Sequence, residues 1–453
     1  MGNLFTSLLN STGALRAYAQ GLQVVQNDVT NSSTSGYVKQ VQTFEALPFD
    51  LAVGLPGGVS AGLVASARDA FAERNVRDRQ SALGLYQQKN SALSSLEANF
   101  DLSNKSGLAY SINGLFQSFS RLSINPSDTT ARLGVIDQAN QVSQAFHTAT
   151  AGLATSSQNV DVQTRSTITE INRIAGTISE LNAHRVIDPK GGTDAGLDAQ
   201  LNSGLEELSQ YGDFTALQQP DGRINLYLGG QTPLVLGDQA FTIHADFSSP
   251  QTRVLDQQGQ DITGEITQGK LRGQLDVKNS LLPSYTADLN TLAQTLADQV
   301  NTTLSQGVDA NGSAPVTGLF RYDATVGAGS SIAVNTLTPD QIAAALPSAP
   351  GGNGNALALA GLADAKLLNG SSLTDFYGTL AGRVGQGIVN ARNSQDTQQQ
   401  LVTQAQNLRQ QTSGVSLDEE ATRLVEFQRA YQATSKLVGV LNDLTQTTID
   451  LIR

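Results

Sequence analysis

The residues best able to do chemistry are few and scattered. His147, His184 and His244 are the only three histidines in 453 residues. The first two fall in helical patterns and the third in a strand-like one. No helix carries two of them at i, i+4, the spacing that sets both imidazoles on one metal ion. Each reads as a surface or core histidine. There is no cysteine, which excludes thiolate metal sites, disulfides and cysteine nucleophiles. Asp309-Ala310-Asn311-Gly312 has the start of a calcium loop but lacks the downstream bidentate glutamate. Gly351-Gly352-Asn353-Gly354 has no strong strand before it and no lysine, so a surface turn is the better reading than a phosphate cradle. Gly382-Arg383-Val384-Gly385-Gln386-Gly387 sits inside a helical pattern and does not match a dinucleotide fingerprint. The carboxylate pair Glu206-Glu207 reads as a solvated helix face. No catalytic, cofactor-binding or metal-binding residue is assigned, and the chain is expected to be non-enzymatic.

Composition points the same way. Lys plus Arg is 28 and Asp plus Glu is 40, a net charge of -12. That is the wrong sign for a phosphate-backbone binder, so no nucleic-acid partner is expected. Charged residues are only 15%, against about 25% in ordinary soluble domains. Gln, Ser, Thr and Asn fill the gap, and a polar, weakly charged surface suits a protein that packs against copies of itself. The longest apolar stretch, Ala356 to Ala363, contains Gly361 and falls far short of the roughly 20 residues that span a bilayer, so no membrane insertion is expected. No basic region followed by an apolar core marks a cleavable signal at the N-terminus.

The elements that would position any site are mostly helical. Leu8, Leu15, Leu22 and Val29 recur every seven residues, with Leu4, Ser11, Tyr18 and Val25 as a second row. That heptad stripe predicts a helix of roughly 28 residues, stopped by Asn31-Ser32-Ser33-Thr34-Ser35-Gly36, where Gly36 can take the left-handed conformation. The other end mirrors it. Ser416-Leu417-Asp418-Glu419 reads as a capping box, and Leu424, Phe427, Tyr431, Val438, Leu441 and Ile452 follow at helical spacing. Leu437, Leu444 and Leu451 form an adjacent row. Both stripes are too narrow for an isolated helix and are expected to bury against each other or against neighbouring subunits.

Between them, Phe44 to Gly62 reads as irregular and Ala70 to Phe100 as helical. A turn at Asn125-Pro126-Ser127-Asp128 precedes a long helix from Thr130 to Arg185, with Asp188-Pro189-Lys190-Gly191-Gly192 to end it. Period-two patterning at Ile224–Leu228, with short apolar runs at Leu234–Leu236 and Phe241–Ile243, predicts a small β region from Phe214 to about Ile266. Helix returns from Leu271 to Leu304, loop with short strands fills Gly307 to Asn355, and helices resume over Asn355–Leu368 and Leu373–Thr412. The fold class is α+β, mainly α. Residues 1–36 plus 414–453 form a terminal coiled-coil domain, 37–212 plus 267–413 an elongated helical-bundle body, and 213–266 an inserted β-rich domain.

Asn27-Asp28-Val29-Thr30-Asn31, followed by Thr34-Ser35-Gly36-Tyr37-Val38-Lys39-Gln40, resembles the N-terminal signature of the bacterial flagellar rod, hook and hook-associated axial proteins. That family usually has Asn-Asn-Ile-Ala/Ser-Asn and then Thr-x-Gly-Tyr-x-Arg. Here Asp28 stands for the second Asn and Lys39 for the Arg. Ser413-Gly414-Val415-Ser416-Leu417-Asp418-Glu419-Glu420, with Phe427-Gln428-Arg429-Ala430-Tyr431-Gln432-Ala433, is similar to the hook-associated branch. Hook and distal rod proteins typically have Ser-Asn-Val in place of Ser413-Gly414-Val415. Tyr227-Leu228-Gly229-Gly230, Gly269-Lys270-Leu271-Arg272-Gly273 and Leu296-Ala297-Asp298-Gln299-Val300-Asn301 agree, so the resemblance covers essentially the whole chain. Two features depart from it. The chain is shorter than many members, and the usual Asp-x-Arg-Asp appears as Asp198-Ala199-Gln200-Leu201-Asn202, so local packing there is expected to differ.

The resemblance implies a structural axial protein of the hook–filament junction, a secreted, extracellular part of the flagellum that leaves through the flagellar type III channel. It implies partners: copies of itself in a ring, the hook protein, hook-associated protein 3, and an export chaperone resembling FlgN on the C-terminal helix. The expected assembly interface is Leu8, Leu15, Tyr18, Leu22, Val25 and Val29 with Leu424, Phe427, Tyr431, Val438 and Leu441. The family-signature residues are Asn27, Asn31, Gly36, Tyr37, Ser416 and Glu419.

Overall fold

A computed structural model describes residues 2–50, 55–100, 106–187 and 194–452. The chain opens with α1 (Gly2–Asn31) and a hairpin of β1 (Gln40–Asp50) and β2 (Leu55–Ser66). Helices α2 (Ala70–Ser94), α3 (Gly107–Ile124), α4 (Thr129–Ile187) and α5 (Ala195–Tyr211) follow. The β region comprises β3 (Phe214–Gln218), β4 (Ile224–Leu228), β5 (Thr232–Leu236), β6 (Gln239–Ala240), β7 (His244–Asp246) and β8 (Arg253–Leu255). The chain then returns through α6 (Gly269–Asp276), a π turn (Val277–Leu281) and α7 (Leu282–Ser305). The strands β9 (Phe320–Arg321) and β10 (Ala333–Val334) flank the short α8 (Ala328–Ser331), and α9 (Gly354–Gly361), α10 (Leu373–Ser413) and α11 (Leu417–Ile452) complete it. The fold is α+β and mostly helical, with long terminal helices and a small β-rich insertion.

Local chemistry sets several boundaries. Asp69 accepts from the backbone N–H groups of Phe71 and Ala72 and starts α2; Asp194 does the same for α5. Pro283 has no N–H to offer the residue four before it, and the ladder shifts there, Leu282 bonding to the Val277 carbonyl. The Asp188–Gly192 stop expected after α4 lies outside the described residues.

Two apolar clusters share α4, whose 59 residues extend about 90 Å at 1.5 Å per residue. Its first half, Val135 to Val160, packs with α3, α7 and the start of α10. Its second half, Ile168 to Leu181, packs with α5, α6 and the β region. Asparagines fasten strands to helices. Asn172 takes both backbone groups of Ile243, Asn182 those of Ile224, and Asn279 those of Thr252.

One expectation fails. Phe44 to Gly62 is not irregular but most of an antiparallel hairpin, with a register shift between Gln42 and Phe44. Pro48, Pro56 and the glycines mask the strand pattern, because each weakens a strand in isolation. Here α1 lies along the hairpin and supplies the missing support.

Candidate assembly site

The two terminal helices pair with each other. Phe427 lies against Gly21, where any Cβ would come within 3.1 Å of its ring. Phe44 of β1 bridges the pair, its ring centroid 5.6 Å from Phe427 and 5.9 Å from Tyr18. Asn10 donates to the Gly57 carbonyl and holds the hairpin on α1. Of the expected interface, Leu8, Leu15, Tyr18, Leu22, Leu424, Phe427, Tyr431, Val438 and Leu441 are half-buried, Val25 is buried and Val29 is exposed. The most exposed large apolar side chains described on these helices are others: Phe5 and Leu9 on α1, and Leu417, Leu437, Val440, Leu444 and Ile449 on α11, each 47% exposed or more. Covering by α1 and the hairpin is what separates the two sets.

The signature residues build the joint below this pair. The Asp28 carboxylate is fully buried and accepts from the Tyr37 hydroxyl at 2.6 Å and from the Gln40 N–H at 3.1 Å. Asn27 donates to the Tyr37 hydroxyl, Asn31 donates to Asn27, and Thr34 donates to Asn31. This chain of bonds turns the polypeptide out of α1 into β1. Burial pushes the Asp28 carboxyl above the ordinary range; Tyr37 and Gln40 pull it back and the nearby Glu420 pushes it up again. Burial, then Asp28, push the Tyr37 hydroxyl up in turn. Gly36 has φ +73°, and a Cβ there would sit 2.3 Å from the Ala199 carbonyl oxygen on α5. Only glycine meets both demands.

Lys39 links the two chain ends. Its ammonium lies 2.6 Å from Glu419 and 3.3 Å from Glu420, and its N–H donates to the Ser413 carbonyl. Glu419 therefore binds Lys39, where the capping-box reading had it returning a bond to Ser416. The Ser416 hydroxyl lies 3.5 Å from the Glu419 N–H, at the limit of a hydrogen bond.

Sequence reasoning missed an ion network beside this joint. Arg68, just after β2, binds Asp198, Glu73 and the Gly36 carbonyl. Arg409 of α10 bonds to Glu73 at 3.2 Å and to Glu206 at 2.6 Å. Glu73 is 3% exposed, a buried charge that two arginines satisfy. Glu206 is thus engaged, not simply solvated. Asn202 donates to Asp198, which answers the altered motif: the amide orients the acceptor of Arg68. Only the departure at Asp198 marked this region in the sequence, since nothing in the chain order brings 68, 198 and 409 together.

The histidines stay apart. His184 and His244 are exposed and His147 is half-buried. Asp309 accepts from the backbone of Asn311 and Ser313 and closes its own turn. Among the described residues no group of three metal-ligating side chains forms, and no helix is long and apolar enough to cross a membrane.

Long helices paired at the chain ends, a hydrogen-bonded joint and apolar rows left uncovered define a structural subunit of an assembled axis. The family described as the flagellar hook-associated protein FlgK helical domain matches residues 93–320, and the C-terminal region of the flagellar basal body rod FlgEFG proteins matches 406–451. The chain belongs to the FlgK family of flagellar hook-associated proteins and is a structural, extracellular protein of the flagellum. It is 25% identical to flagellar hook-associated protein 1 of Bacillus subtilis over 502 residues, covering 99% of each chain. It is 24% identical to that of Escherichia coli over 548 residues, covering 98% of this chain and 100% of the relative. Alignments that long over 453 residues leave gaps in this chain. The structure of the flagellar hook junction protein FlgK from Burkholderia pseudomallei has the same fold, with a TM-score of 0.68 and 16% identity over 75% of this chain and 100% of that one.

Proposed function

We propose that copies of this chain form the ring joining hook to filament, with the hook protein on one side and hook-associated protein 3 on the other. The terminal helices are the assembly interface, and a FlgN-like chaperone covers α11 before type III export. The observation that carries this reading is the state of α11. Among its described side chains the only buried one is Glu420, while Leu437, Val440 and Leu444 remain about half exposed. A 36-residue helix with no fully buried apolar residue among its described side chains is weakly held by its own chain, and neighbouring subunits complete its burial. The proposed division is residues 1–36 plus 414–453, 37–212 plus 267–413, and 213–266; the residues of both apolar clusters lie between 92 and 391, which favours a separate terminal pair, while one cluster joins the β region to α4, α5 and α6.

The test is Phe427→Ala with Leu441→Ala in a strain lacking the native protein. The expected outcome is flagellin lost to the medium and no filaments by electron microscopy, with export of the variant itself measured separately. Normal filaments at normal protein level would remove these residues from the interface.

A further inference from the structure

A cleft of about 510 Å³ lies between α2 and β3. Arg74, Arg77 and Arg79 line it, in a chain of net charge -12. Arg77 is half-buried, and no described residue accepts a hydrogen bond from any of the three. Burial lowers the Arg77 pKa, against the pull of Glu73 and Asp78. Two carboxylates also line the cleft. Asp213 is occupied by Thr267 and Gln268, and Asp78 is exposed on α2. Ser81, 4% exposed, lines the same cleft with its hydroxyl unpartnered among the described residues.

The opposite wall is a sheet edge. β3 is terminal in the order β3-β4-β5-β6. Gln219 donates to Arg223 and Gly229 donates to Asp213, so in the antiparallel register the odd-numbered residues of β3 bond to β4. The backbone groups of Phe214, Ala216 and Gln218 therefore point away from the sheet and have no partner among the described residues.

We propose that this cleft is a docking groove for an extended acidic segment of another protein, which adds a strand to β3 and sets alternate carboxylates against Arg74 and Arg77, with Arg79 at the rim. Strand addition satisfies the free edge while the side chains supply selectivity. The spacing agrees for Arg74 and Arg77: alternate residues of a strand lie about 6.6 Å apart, and helix residues three apart about 5–6 Å, while Arg79, two positions beyond Arg77, reaches the cleft from its rim. The occupant is not a second copy. Outside its helices this sequence never places two acidic residues within three positions of each other, and its acidic runs Glu206-Glu207 and Asp418-Glu419-Glu420 are helical.

Fluorescence anisotropy of the full chain with a labelled alternating Thr–Glu hexapeptide tests this, with the alternating Thr–Gln peptide as control. The Glu peptide should bind more tightly, and more weakly at high salt. Arg77→Gln should weaken it about tenfold or more, the scale of one charge-assisted hydrogen bond. Arg74→Gln with Arg79→Gln, both exposed, should weaken it too and guards against misfolding of the first variant. Ala216→Pro removes an outward N–H that an edge strand can spare, so it should leave melting unchanged and lower affinity. Equal binding of the two peptides, or affinity unaltered by the arginine variants, would overturn the proposal. Undiminished affinity in folded Ala216→Pro would overturn strand addition. Tighter binding of a single-stranded oligonucleotide of equal charge would replace the peptide with a phosphate backbone.

Discussion

Helices α7 and α11 carry similar apolar stripes and meet different fates. In α7, Leu289, Leu292, Leu296, Val300 and Leu304 are all 0% exposed, enclosed by the body cluster. In α11, Leu424, Phe427, Val438 and Leu441 are only half-buried, because α1 and the hairpin cover one side. Fully burying such a side chain is worth about 1.5–3 kcal/mol. The body is thus stabilised within one chain, while the terminal pair leaves part of its apolar surface exposed, as the proposed assembly interface requires.

The largest effect should come from exchanging damage between these helices. Leu296→Ala should cost the body about 2–5 kcal/mol and lower its melting temperature by several degrees or more. Phe427→Ala with Leu441→Ala should leave that transition almost unmoved in the isolated protein. Differential scanning calorimetry of the two variants reads the contrast directly, and comparable losses would mean that α11 belongs to the cooperative core.

A smaller contrast lies between two glycines. Gly36→Ala meets both a left-handed backbone and a carbonyl at 2.3 Å, so it should cost more than the roughly 1–2 kcal/mol of conformation alone and expose α1 to protease. Gly230→Ala in the β region has φ +80° but nothing nearer than the Thr215 hydroxyl at 3.6 Å. Urea midpoints should show only the conformational cost there.

The smallest effects are opposite pH slopes. Asp28, raised by burial, binds its proton more tightly folded than unfolded. Its stabilising contribution is present in acid and lost as pH rises above about 4. Asp246 is held at about 2 by Ser248 and Arg253, so its contribution is present above about pH 4 and lost as pH falls towards 2. Asp28→Asn should therefore flatten the joint's decline above pH 4, read by protease protection of α1. Asp246→Asn should flatten only the acid limb of the β region, read by hydrogen exchange.

The sequence by itself determined most of the long helices, the insertion and the signature, while α3 (Gly107–Ile124) went unread. Apolar spacing predicts α4 over 130–185 against 129–187 observed, since periodicity is local and α4 is long. The β region reads from period-two runs between glycines. Gly36 marks the end of α1 by its type, whereas Tyr37 entered only through the resemblance. Only the tertiary structure decided what those residues do. The hairpin was illegible because prolines and glycines weaken a strand that α1 then supports. Glu419 left its expected cap because Lys39, 380 positions away, offers an ion pair at closer range. Arg68, Glu73, Asp198, Glu206 and Arg409 carry no shared spacing, and their network exists only because α2, α5 and α10 converge. The sequence showed which faces are apolar; the fold decided which of them are covered, because burial depends on neighbours that a one-dimensional pattern does not contain.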